Sequence, residues 1–213
     1  MKGLIIKDFL TIKKSLRMIA IMIIPFGIFA YTLESPGYIA IMVTLLCATP
    51  VLSTFNYDEY YHWNNYAVTF PISKKDIVKS KYVFLFIMEL IGLVLGSIIS
   101  AIISLALKVE MTETLIQCLV FFLVLLLVYS FVIPVCFKVG AEKAIIAMFL
   151  IYILPFIIVF FLYKMLDEAT VLRAAEYIEN NMTIIGVGAT VLTLVIVFIS
   201  YLISCKIFEG KDM

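Results

Sequence analysis

The sequence predicts an all-α membrane protein: six transmembrane helices, an N-terminal amphipathic interfacial helix, and a short cytoplasmic helix between spans two and three. Three observations carry this expectation. Of 213 residues, 64% are apolar and 15% charged, with a mean hydropathy of +1.15; a soluble domain is about 45–50% apolar and about 25% charged. The apolar residues are gathered into blocks long enough to cross a bilayer, which takes roughly 20 residues per helix. Thirteen of the sixteen lysines and arginines fall in one set of loops, and the other set holds only Lys108, Lys164 and Arg173. This positive-inside asymmetry puts both termini and the segment Asn56–Lys81 on the cytoplasmic side of a cell membrane, which agrees with an even number of spans.

In chain order, residues 1–16 carry Leu4, Ile5, Phe9, Ile12 and Leu16 along one helical stripe, with Lys7, Thr11 and Lys14 on another face. A short basic amphipathic helix beside a span lies in the interface plane. The repeated basic residues through Arg17 and the lack of a small-residue cleavage motif argue against a cleavable signal peptide. Spans are expected at about 18–31, 38–55, 82–107, 114–137, 144–163 and 182–205, forming a single membrane domain over 1–213. Glu34-Ser35-Pro36-Gly37 reads as a tight turn, and 164–181 as a polar, helix-compatible segment on the outer side.

The segment 56–81 is the longest polar break. It holds the sole histidine (His62), the sole tryptophan (Trp63), four tyrosines and four lysines. Asn56-Tyr57-Asp58-Glu59 has the form of a capping box, which predicts a short helix from about Tyr57 to Tyr66. Ser73-Lys74-Lys75-Asp76 is a second cap signal and opens a helix running into the third span. Two readings of the aromatics compete: a belt at the membrane–water boundary, or a docking surface for a cytoplasmic partner. The position in the largest cytoplasmic loop favours docking.

Within the third span Gly92, Gly96, Ser100 and Ser104 recur every four residues, a small-residue stripe that lets helices pack closely in lipid. Glu89 lies on roughly the same face and is the acidic residue deepest in an apolar block. A carboxylate there costs at least ~2.5 kcal/mol. It reads as a satisfied structural contact, a polar contact lining a cargo cavity, or a proton relay. Pro25, Pro50, Pro134 and Pro155 interrupt four spans, as tolerated where neighbours re-satisfy the backbone. The four cysteines (Cys47, Cys118, Cys136, Cys205) lie in apolar blocks without CxxC spacing, so neither metal nor disulfide is expected.

The N-terminal basic helix, the six spans and the pattern Asp58-Glu59, Trp63, Tyr66, Pro71, Ser73, Lys75, Ile77-Val78, Ser80-Lys81-Tyr82 resemble the membrane subunits of type-2 ATP-binding-cassette exporters. The resemblance is to small bacterial permeases of the peptide-exporting kind (phenol-soluble-modulin or bacteriocin type). It implies that the segment after the second span is a coupling helix seated on a cytoplasmic ATPase, here through Tyr57, Asp58, Glu59, Tyr60, His62, Trp63 and Tyr66. It also implies a dimer with a second permease copy or paralogue, a bacterial cell-membrane location, and a short outer helical element, for which 166–180 is the candidate.

The chain is expected to be no enzyme and to bind no cofactor. Neither Lys14-Ser15 nor Lys79-Ser80 follows the glycines of a phosphate-binding loop, so ATP and Mg are expected in the partner ATPase. Intramembrane catalysis would need paired carboxylates or histidine ligands. The expected cargo is an amphipathic peptide, antimicrobial or other hydrophobic compound. An ATP-independent carrier, or a membrane scaffold or sensor, is the alternative. The balanced net charge of +1 gives no sign of nucleic acid.

Overall fold

The computed structural model describes residues 2–67, 69–70, 72–165, 170, 173, 177 and 180–211. All regular structure among them is helical: α1 (Lys2–Thr11), α2 (Lys13–Thr32), α3 (Gly37–Ala48), α4 (Pro50–Tyr60), α5 (Trp63–Ala67), α6 (Lys74–Leu107), α7 (Met111–Val139), α8 (Ala141–Met165) and α9 (Met182–Glu209). Among the described residues five stretches are long and apolar enough to cross a membrane: α2, Gly37–Tyr60, α6, α7 and α9. The chain is a multi-pass membrane protein. The sequence places one more span at 144–163, within the 25-residue α8, part of whose side chains lies outside the described residues. The expected outer segment 164–181 falls mostly outside them too.

The N-terminal helix is shorter than expected. Ile12 (φ −90°, ψ 5°) separates α1 from α2, so the first span's helix begins at Lys13. The apolar stripe of α1 packs on protein: Leu4 and Ile12 are buried, and Phe9 meets Phe84 of α6 edge to face at 5.0 Å. Pro25 lies within α2 without ending it. Glu34 takes the left-handed conformation (φ 51°), and the Ser35 N–H donates to the Ala30 carbonyl at 3.2 Å, closing the turn into α3.

The capping box at Asn56 does not form. Pro50 at the first turn of α4 starts a helix that runs through Asn56 to Tyr60, because Val51, Leu52 and Phe55 are drawn into the core. The amides a cap would satisfy are already bonded within the helix. Thr49 N–H reaches the Leu45 carbonyl at 3.1 Å, so α3 and α4 run on as a single 24-residue span interrupted at Pro50, which has no N–H to donate. The expected helix 57–66 is instead split by His62, whose φ is 50°, leaving the single turn of α5.

The second cap does form. The Asp76 N–H donates to Ser73 Oγ at 3.1 Å, and Ser73 Oγ donates to Asp76 Oδ2 at 2.7 Å. This hydrogen bond from Ser73 holds the Asp76 carboxyl below its ordinary range. The helix it opens, α6, has 34 residues and is therefore about 51 Å long, well beyond the roughly 30 Å hydrocarbon core. Lys108 ends it in the left-handed conformation at φ 57°.

α6 is the central element. A Cβ on Gly92 would lie 2.9 Å from Thr44 Cα, and one on Gly96 would lie 3.1 Å from Ala40 Cα, so α3 rests directly on the glycine backbone. Further along the same stripe, Ser100 Oγ is 3.9 Å from Cys118 Sγ and Ser104 Oγ is 3.4 Å from Thr114 Oγ1. The stripe therefore serves α3 with its first half and α7 with its second. On an adjacent face Tyr82 pairs its hydroxyl with Ser200 (2.6 Å) and Ser204 (2.8 Å) of α9. Ser200 also donates to the Ser130 carbonyl of α7, so one polar knot ties three helices. Such hydrogen bonds replace the hydrophobic driving force that helices lack in lipid. α2 and α9 turn Ile21, Ile24, Ile28, Val187, Val191 and Val195 outward, the surface a bilayer solvates.

Candidate functional site

At the end of the bundle that carries α1, α4, α5 and the foot of α6, a layer of buried charge lies beneath exposed aromatic rings. The charged layer begins at Lys81, two turns into α6 and 2% exposed. Its ammonium lies 3.0 Å from Asp8 Oδ1 of α1 and 2.7 Å from Asp58 Oδ2 of α4, and donates to Thr54 Oγ1 at 3.0 Å. The contact to Asp58 Oδ2 is an ion pair outside hydrogen-bond geometry. Lys7, next to Asp8, donates to Asp58 Oδ1 and lies 3.0 Å from Asp8 Oδ1. Two cations and two anions thus close a neutral square joining three helices. Lys7 lies 4.8 Å over the Trp63 ring and Lys81 5.0 Å over that of Phe55, so both cations also face aromatic surface.

A square of this kind is poor evidence of stability, since desolvation offsets much of the attraction. Its consequence is geometric. Removing one member strands a buried charge, so α1, α4 and α6 must keep their mutual positions or move together.

The exposed layer is built by α4, the His62 turn and α5. Tyr57 and Tyr61 stack at 6.4 Å, and Tyr60 meets Tyr61 edge-on at 5.0 Å. Trp63 tilts against Tyr66 at 5.9 Å, and Tyr66 meets Phe70 at 5.2 Å. Tyr60 is 77% and Tyr61 69% exposed. Tyr57, Tyr60, Tyr61 and His62 line an open groove whose far wall is Glu142 and Ile145 of α8.

Glu59 joins this surface to α8. Its Oε2 accepts from the Ala141 N–H at 3.0 Å, at the N-terminus of α8, where a carboxylate is favoured. Gly140 makes room for it: φ is +89°, and a Cβ there would fall 2.6 Å from Glu59 Oε1.

Of the seven residues the sequence singled out in this segment, Tyr57, Tyr60 and His62 share the groove, with Glu59 forming its clasp. Trp63 and Tyr66 continue the aromatic surface on the other side of the His62 turn. Asp58 is turned inward, 5% exposed, and belongs to the buried square rather than to the exposed aromatic surface. Asp8, Lys7 and Thr54 were missed, as was the destination of the Lys81 ammonium. The available signal was Asp8, a carboxylate midway between Leu4 and Ile12 on the apolar stripe of a basic helix. Gly140 offered no signal in the sequence.

Deeper in the bundle Glu89 is 0% exposed, and neither carboxylate oxygen has a hydrogen-bond partner among the described residues. All four cysteines are buried and free, and among the described residues no three His, Cys, Asp or Glu side chains converge as a metal site would require.

A family model described as ABC-2 family transporter protein matches residues 3–209 of the chain. No curated protein matches the chain significantly, and neither does any solved structure.

Proposed function

From the premise that the chain belongs to the ABC-2 family of transporter proteins, and so is a membrane permease of an ATP-binding-cassette transporter, we propose that it is the six-span subunit of an ATP-driven exporter. In this reading two permease subunits enclose the pathway, both termini are cytoplasmic, and separate ATPase subunits dock on the tyrosine-rich surface of α4 and α5. The location is a bacterial cell membrane, and the cargo is an amphipathic peptide or other hydrophobic compound.

The observation that carries the proposal is the mounting of the aromatic surface. Exposed tyrosines of the kind that anchor interfaces stand on a helix clamped from below by Lys81 and Lys7 through Asp58. The same helix is fastened sideways to α8 by Glu59. A partner pressing on Tyr60 and Tyr61 would therefore shift α4 together with α6, α1 and α8. Docking energy would reach the spans as motion of whole helices, in keeping with the rigid packing of protein interiors.

The test is co-expression with an ABC ATPase from the same genome, followed by co-purification and measurement of ATP hydrolysis. Tyr60→Ala/Tyr61→Ala should lower ATPase capture by roughly tenfold, the loss of one or two interface anchors, while leaving the permease monodisperse. Capture unchanged in this variant, or no ATPase bound by the native chain, would sink the coupling reading and favour an ATP-independent carrier or a scaffold.

A further inference from the structure

We propose that Lys13, Lys14 and Arg17, with the isoleucines above them on α2, form a binding site for an anionic phospholipid. The three cations hold its phosphate headgroup, and Ile21, Ile24 and Ile28 carry an acyl chain. The inference rests on the membrane spans alone and is independent of the ATPase reading above.

The inner face of the N-terminal helices is already occupied. Protein takes up the apolar stripe of α1, with Leu4 and Ile12 buried and Phe9 against Phe84. Lys7 and Asp8 turn into the charged square. What remains outward on α1 is Lys2, Ile6 and Leu10, spaced four residues apart and exposed, a basic and apolar face of the kind that lies on a bilayer. The Ile12 N–H donates to the Asp8 carbonyl at 3.2 Å and the Leu16 N–H to the Ile12 carbonyl at 2.9 Å. The chain thus passes without a loop into α2, where Lys13, Lys14 and Arg17 are exposed.

On α2 the cations and the isoleucines share one face. Arg17, Ile21, Ile24 and Ile28 follow at intervals of four, three and four, and Lys13 lies four residues before Arg17; all are exposed. At 1.5 Å per residue Arg17 and Ile28 stand about 17 Å apart, close to the roughly 15 Å of one hydrocarbon leaflet. A single lipid therefore meets charge at its headgroup and branched apolar side chains along its tail. The Arg17 guanidinium suits the paired oxygens of a phosphate, and the two lysines add point charge beside it.

The charge on this face is uncompensated. Asp8 is the only carboxylate in residues 1–33, and it is buried and committed to Lys7 and Lys81. Among the described residues Lys13, Lys14 and Arg17 form no ion pair. A second copy of the chain is a poor occupant, because a two-fold contact through this patch would set the cations against their own counterparts. A lipid of net negative charge neutralises them, whereas the choline of a zwitterionic lipid offsets its own phosphate.

The experiment uses the full-length permease in detergent without its ATPase, delipidated and then titrated with phosphatidylglycerol or phosphatidylcholine of identical acyl chains. Native mass spectrometry counts the first lipid bound. A preference of about tenfold or more for phosphatidylglycerol is expected, since each basic residue near an anionic headgroup strengthens binding roughly fivefold. Lys13→Gln/Lys14→Gln/Arg17→Gln should abolish the preference. Lys79→Gln/Lys138→Gln/Lys143→Gln, which removes three exposed cations elsewhere at the same end of the bundle, should keep it. Should the first variant fail to fold, Lys14→Gln and Arg17→Gln taken singly provide the second readout, each with a several-fold loss. Equal affinity of the native chain for the two lipids would overturn the proposal and leave the cations to an acidic protein partner. Equal losses in both triple variants, or displacement of the bound lipid by excess glycerol phosphate, would overturn it as well. None of these outcomes bears on ATPase capture, so the two readings fail separately.

Discussion

Glu59 and Ala141, eighty-two positions apart, are joined by a 3.0 Å hydrogen bond from the Ala141 amide to the Glu59 carboxylate. It fixes the second span to the start of α8 at the end where the buried charges lie. Gly140→Ala is the sharpest test of this joint. Its φ of 89° and ψ of 167° belong to a region open essentially to glycine alone, and forcing another residue into it costs about 1–3 kcal/mol. Thermal unfolding of purified Gly140→Ala should show a loss of at least that size, since the new Cβ also meets Glu59. Gly140→Ala combined with Glu59→Ala should recover part of the loss, and no recovery would show that the carboxylate does not occupy that space.

Lys81 and Lys79 are two residues apart and should behave oppositely. Lys79 is exposed, and Lys79→Met should stay within about 0.5 kcal/mol of the native protein. Lys81→Met leaves Asp8 and Asp58 buried with Lys7 alone and should cost about 3–5 kcal/mol. Equal thermal denaturation midpoints for the two variants would contradict the closed square.

The glycines divide in the same way. Gly96→Ala places a Cβ 3.1 Å from Ala40 Cα, whereas Gly186→Ala meets nothing within 4 Å. Overpacking at Gly96 should cost about 1–3 kcal/mol. Gly186→Ala should be neutral or slightly stabilising through helix propensity. Resistance to detergent-induced unfolding separates them.

At the foot of α6, Ser73→Ala removes an N-cap and should cost about 1 kcal/mol, read as faster amide exchange over Asp76–Val78. The pH dependence has a definite sign. The Asp76 carboxyl is held low in the folded protein by Ser73, so its contribution is full above the ordinary value of 3.8 and disappears as pH falls through the lower folded value. Protection of these amides should therefore weaken only in that acid range, and Ser73→Ala should abolish the dependence.

Much of the bundle could be read from the chain, because span length and the four-residue spacing from Gly92 to Ser104 are local signals with one physical cause each. The Ser73 cap was legible for the same reason. The Asn56 box failed because burial of Val51, Leu52 and Phe55 extended a helix through residues whose own preference is to start one, a case of tertiary packing overriding a local signal. The charged square was invisible because its members, Lys7, Asp8, Asp58 and Lys81, come from three separate stretches of sequence. Asp58, which the resemblance set among the coupling residues, is turned inward because α4 runs on through it and its side chain meets the buried lysines.

The length of α6 has a mechanical consequence. The helix rests on α3 at Gly92 and Gly96, the first about 27 Å from the Lys74 end and the second about 16 Å from the Leu107 end at 1.5 Å per residue. A stiff rod held at such a point acts as a lever with unequal arms. Sideways travel at the Ser73 foot would emerge at the far end reversed in direction and reduced to about 0.6 of its size by that 1.5 Å geometry. A partner gripping the foot would thus trade distance for force, and a closing motion at one mouth of the bundle would become an opening motion at the other.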